Sequence, residues 1–171
     1  MDARTRTRLP VIPTLAQATH TWRQQSAMLL SAGLNAAPGE SFTAGDITVT
    51  RVDRPHGRPD NVWSTDPRTG RPTLLNREED HAFWAWAAIE VLRHTGIRIE
   101  ELTELSHHSL VQYRLPDTGE LVPLLQIAPS KTDTERLLVI SPELSDVLSA
   151  VIRRVRAANG AVPMVTAKDA H

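Results

Sequence analysis
The pattern of apolar and polar positions changes character near residue 72 of this 171-residue chain. Between Thr14 and Leu34 the spacing is helical, with Leu15, Met28, Leu29 and Leu30 among polar residues, and it stops at Gly33 and the Pro38-Gly39 breaker. One or two helices fit there. From Ser41 to Pro72 the chain is loop-like, rich in Pro, Gly, Asp and Arg, and only Ile47 to Val52 alternates as a short strand. That stretch reads as a linker or partial domain.

Beyond residue 72 the pattern is sharper. Asn76 can cap a helix with Glu78, Glu79 and Asp80 in its first turn and Ala82, Ala85, Trp86, Ile89 and Leu92 as its apolar stripe, ended by Gly96. A second helix is expected from about Arg98 to His107, with Arg98 in its first turn and Ile99, Leu102 and Leu105 buried. Leu110 to Leu115, Leu121 to Ala128 and Arg136 to Ile140 read as strands. The turn Pro116-Asp117-Thr118-Gly119 and the polar link Ser130 to Glu135 join them into a three-stranded antiparallel meander. Ser141-Pro142-Glu143 opens a last helix with Leu144, Val147, Leu148, Val151 and Ile152 on its apolar face, closed by Asn159-Gly160. The expected class is therefore α+β, mainly helical with a three-stranded antiparallel meander. Residues 1–71 form an N-terminal helical segment and linker, and 72–171 a second domain.

Composition adds limits. A hydrophobic content of 40% supplies a core. No apolar run is long enough for a bilayer, and the start from Met1 to Arg8 lacks the apolar stretch of a signal peptide, so a soluble cytoplasmic protein is expected. The absence of cysteine excludes disulfides and thiolate metal sites. A net charge of -1 is not the basic balance of a protein that grips nucleic acid by charge alone. All basic residues except Lys131 and Lys168 are arginines, a bias that base composition of the gene explains. Against it, a lone lysine in a turn stands out.

Two segments carry candidate chemistry: Thr95-Gly96-Ile97-Arg98-Ile99-Glu100-Glu101-Leu102 and Ser130-Lys131-Thr132-Asp133-Thr134-Glu135-Arg136. Attack on a phosphodiester builds charge on the non-bridging oxygens, which a guanidinium meets with paired donors, and the departing oxygen needs a proton that a lysine on a hairpin can deliver. Taken alone, Arg98 reads as a surface ion pair with Glu101 or Glu104 one turn on. Paired with Lys131, it reads as half of a phosphodiester site.

The order helix, helix, meander, helix, with these residues in these places, resembles the catalytic domain of the tyrosine recombinase or phage integrase family over about Leu74 to Arg156. The resemblance implies a catalytic arginine at Arg98, a catalytic lysine at Lys131, an acidic residue at Glu101 that orients Arg98, and a DNA-binding strand arginine at Arg136. It also implies a site-specific DNA recombinase or integrase that cleaves and rejoins strands through a phosphotyrosyl intermediate. The implied partner is double-stranded DNA, with self-association on DNA in the parent enzyme and no cofactor, metal or membrane. The chain departs from the family at Leu105-Ser106-His107-His108-Ser109-Leu110, where an aspartate is usual, and in having no later His-x-x-Arg motif or tyrosine nucleophile. The expectation is a truncated fragment, partial in its catalytic domain and inactive alone. The alternative is a non-catalytic DNA-binding or protein-interaction remnant.

Other residues read plainly. Tyr113, the only tyrosine, is a strand aromatic. His107 and His108 are neighbours whose side chains should diverge and share no metal, and His94 should favour the negative end of its helix. Trp86 is assigned inward and Trp84 outward. Leu105, Val147 and Val151 are expected to leave apolar surface exposed.

Overall fold
The computed structural model describes residues 11–53, 60–128, 134–156 and 160–162. Among them the chain is α+β, with four helices and two small antiparallel sheets. It divides into two compact units, Met1–Ile89 and Glu90–His171.

The first unit opens with a single long helix, α1 (Val11–Asn35). Its buried positions, Ala16, Thr19, Ser26, Leu29 and Gly33, recur three, four or seven apart and are mostly small. Leu15 and Met28 face outward. Small residues allow close approach: a Cβ on Gly33 would lie 2.8 Å from Val62 Cγ1 and 3.1 Å from both Leu75 and Phe42. The stretch read as a linker or partial domain with one strand carries a four-stranded antiparallel sheet, β1 (Ser41–Ala44), β2 (Ile47–Val52, the expected strand), β3 (Trp63–Thr65) and β4 (Pro72–Leu74), paired in chain order. Its strands are so short that turn residues dominate the composition, and Gly39, Gly45 and Gly70 all take the left-handed conformation the turns require. Alternate side chains, Phe42, Ala44, Ile47 and Val49, join Leu29, Leu30, Val62 and Leu75 in one apolar cluster.

Helix α2 (Leu75–Thr95) follows directly. Asn76 does not cap it. Its Oδ1 accepts from the Val62 amide at 2.7 Å and its Nδ2 donates to the Asp60 carbonyl at 3.1 Å, which ties the helix start to the chain before β3. The buried side of α2 is Ala82, Phe83, Trp86, Ala87, Glu90 and Val91, so Ala85, Ile89 and Leu92 are only half-buried. Trp86 is buried and Trp84 exposed, as their spacing implies. Arg23 of α1 lies 3.6 Å from the centre of the Trp86 ring, and Trp22 donates its indole N–H to Glu78 at 3.0 Å.

In the second unit Gly96, with φ of 65°, ends α2, and its amide reaches the Leu92 carbonyl at 2.9 Å. Helix α3 is shorter than expected, Ile99–Glu104, and a separate 3-10 turn covers His107–Ser109. Ile99 is 55% exposed rather than buried, while Ile97 and Glu101 are the enclosed residues. Strands β5 (Leu110–Arg114), β6 (Leu121–Ile127) and β7 (Arg136–Val139) pair antiparallel in chain order. The meander is seen in its strands and first turn; the link through Ser130 and Lys131 lies outside the described residues. On β6, Leu125 and Ile127 are buried.

Helix α4 (Pro142–Val155) begins at the expected cap, where Ser141 Oγ accepts from the Leu144 amide at 3.3 Å. It ends sooner than expected, at Arg156, whose amide bonds the Ile152 carbonyl; Asn159 lies outside the described residues. Val147 is buried and Leu105 and Val151 are half-buried, against the expectation of exposure. The open apolar surface lies on the sheet's other face, at Val111, Tyr113, Leu137 and Val139.

Candidate phosphate site at Arg98, Glu101 and Arg136
Arg98 is not inside the first turn of α3. It is the residue before it, extended at φ −78° and ψ 158°, and its backbone N–H donates to Glu101 Oε2 at 2.8 Å. A helix start leaves amides without helical partners, and a glutamate three residues on can reach back to one. That requirement turns Glu101 inward, where its side chain is 1% exposed.

The other carboxylate oxygen of Glu101 accepts from Arg136 at the start of β7, NH2 to Oε1 at 2.6 Å. The two segments singled out in the sequence therefore meet on one carboxylate. The Arg98 amide is the largest influence holding the Glu101 carboxyl below its ordinary range, followed among favourable causes by the hydrogen bond and charge of Arg136 and by the charge of Arg98. Burial pushes the other way and does not prevail. Glu101 is thus an anion at neutral pH.

Glu101 was expected to orient Arg98. Its carboxylate accepts from the Arg98 backbone amide and from the Arg136 guanidinium, the second a link that residue types alone did not suggest. The available signal was an acid three positions after a helix-start residue, the spacing of a capping interaction. Lys131 falls outside the described residues, so its relation to Arg98 is not described. Tyr113 is an exposed residue of β5.

A second charged group surrounds buried Glu90. Arg93 NH2 lies 2.5 Å and His94 Nε2 3.4 Å from Glu90 Oε2, and Arg93 NH2 is 2.9 Å from His94 Nε2. His94 is thereby part of an acid-centred cluster rather than simply a partner for the helix end. The His107 and His108 rings do not diverge: the 3-10 turn brings their centres to 3.8 Å. Among the described residues, no group of three or more histidines, cysteines or acids could hold a metal ion, and no helix is long and apolar enough to cross a membrane.

No family model, curated protein or solved structure matches the chain.

Proposed function
We propose that this chain handles a phosphodiester of double-stranded DNA as part of a site-specific recombinase or integrase of the tyrosine kind. The observation that supports the reading is the meeting of Arg98 and Arg136 on buried Glu101, which brings the TGIRIEEL segment and the strand after Ser130-Lys131 to one place. Arg98 supplies paired donors to the non-bridging oxygens. Lys131 gives a proton to the departing 5' oxygen, and the nucleophilic tyrosine belongs to the parent enzyme, which assembles on DNA in the cytoplasm. Tyr113 takes no part in the chemistry. A non-catalytic DNA-binding or protein-interaction role is the second reading, favoured by the exposed apolar face of the β5–β7 sheet.

The test is binding of the full chain to a labelled duplex across a series of salt concentrations. Arg98→Lys keeps the charge but loses the fork of donors, so weaker binding is expected. Equal affinity and equal salt dependence for Arg98→Lys and wild type would remove the support for this role. A denaturation-resistant adduct formed through Tyr113 would overturn its assignment.

A further inference from the structure
Glu90, Arg93 and His94 meet in a triangle near the end of α2. Arg93 Nη2 lies 2.5 Å from Glu90 Oε2 and 2.9 Å from His94 Nε2, and that ring nitrogen lies 3.4 Å from the same Glu90 oxygen. A guanidinium has no lone pair to offer, so its contact with the ring requires Nε2 to accept and the proton of the neutral ring to sit on Nδ1. We propose that His94 is a proton-driven switch: the neutral ring accepts from Arg93, whereas the protonated ring donates to Glu90 and releases Arg93 from the carboxylate.

The ring takes one proton from water at Nε2 and keeps its Nδ1–H. This turns an acceptor into a donor and sets two cations 2.9 Å apart, so the contact between His94 and Arg93 does not survive it. Glu90 Oε2 is already in place as the new acceptor. Exposure decides which donor leaves. The Glu90 and His94 side chains are 10% and 17% exposed and that of Arg93 is 40% exposed, so the arginine can move into water while the enclosed carboxylate keeps a cationic partner. The protonated ring also sits in the closing turn of a helix, where the backbone dipole favours positive charge. From the start of α4, Glu143 faces the pair as an anion. Its own amide and the Ser141 side chain, then the charges of His94 and Arg93, hold its carboxyl below the ordinary range. With His94 neutral, two carboxylates face one guanidinium; protonation brings the charges into balance. The end of α2 therefore presents a free guanidinium in acid and a held one above the titration of the ring.

The experiment follows the ring and guanidinium nitrogens of the uniformly isotope-labelled full chain by NMR from about pH 8 to about pH 5, the range in which histidine charge ordinarily changes, beside the variants His94→Gln and Arg93→Ala. At the upper end His94 should carry its proton on Nδ1 and leave Nε2 bare. As the ring is protonated, its Nε2 signal should move upfield, and the Arg93 Nε signal, bonded to Glu90 at 3.2 Å in the neutral state, should shift with the same midpoint. His94→Gln keeps a polar side chain but has no charge to gain, so its Arg93 signal should stay flat. In Arg93→Ala the neutral ring should lose its preference for the proton on Nδ1. A neutral wild-type ring protonated on Nε2 would overturn the proposal. An Arg93 signal indifferent to the His94 titration would show that no partner is exchanged, and a response that persists in His94→Gln would assign it to Glu90 or Glu143 and end the proposal. The tautomer and the shared midpoint are read in the wild-type protein, so they decide the matter even where a variant does not fold.

Discussion

The two units each pair an antiparallel sheet with helices, yet their interiors rest on different chemistry. In the first, Leu29, Ala44, Val49, Val62 and Leu75 form an apolar cluster, and the buried polar side chains Thr19, Ser26 and Ser64 are neutral hydroxyls. In the second, the buried polar side chains are the carboxylates Glu90 and Glu101, both with arginine partners. The outward sheet faces are reversed. Ser41 with Thr50 and Thr43 with Thr48 form exposed hydroxyl pairs at 2.9 Å on the first sheet, while Tyr113, Leu137 and Val139 stand open on the second. A neutral interior can be held by area removed from water, whereas a buried carboxylate persists only with donors placed on it.

The comparison can be broken most directly in the first unit. Leu75→Ala removes a side chain at the meeting point of β4, α1 and α2 and should lower stability by about 2–5 kcal/mol, the range for large-to-small changes in a packed core. Urea unfolding checks the size, and native-state hydrogen exchange should place the lost protection on β1 to β4. Loss of protection on β5 to β7 instead would deny the first unit a core of its own.

The sharper test for the second unit is its dependence on pH. The folded state holds a proton on Glu101 less tightly than the unfolded chain does. Its contribution is therefore complete above the ordinary glutamate value of 4.5 and is lost as the pH falls through the lower folded value. Glu101→Gln should be less stable than wild type at neutral pH, and the gap should narrow as the medium is acidified below that ordinary value. Asp66 and Glu143 are shifted in the same direction, so the difference between the two proteins is the informative quantity. A gap independent of pH would mean that the charge of Glu101 does not matter. The smallest effect is expected at the start of α4. Ser141→Ala removes the acceptor for the Leu144 amide and should cost about 1 kcal/mol in urea unfolding, with no change in that pH response attributable to Glu101.

Much of the second unit was legible in the sequence because its signals are local. Gly96 ends α2 through a left-handed backbone, Ser141-Pro142 starts α4, and strands β5 to β7 lie within the expected segments. Each depends on a few neighbouring residues. The first sheet was hidden because strands of three to six residues, cut by turns, carry too little alternation to stand out. What makes them a sheet is a face that the apolar cluster completes from residues as distant as Leu29 and Leu75.

The candidate site divides in the same way. The sequence by itself singled out Arg98 and Lys131 as the candidates for a phosphodiester site, and placed an acid three positions after the arginine. Only the tertiary structure decided that Glu101 turns inward, that Ile99 faces water instead, and that the inward carboxylate receives Arg136 from a strand beyond the sheet's second link. On a helix of six residues, periodicity cannot tell an apolar side chain from an acid as the buried one. The choice falls to the Arg98 amide and the Arg136 guanidinium, two donors that converge on one point only after β7 has joined β6.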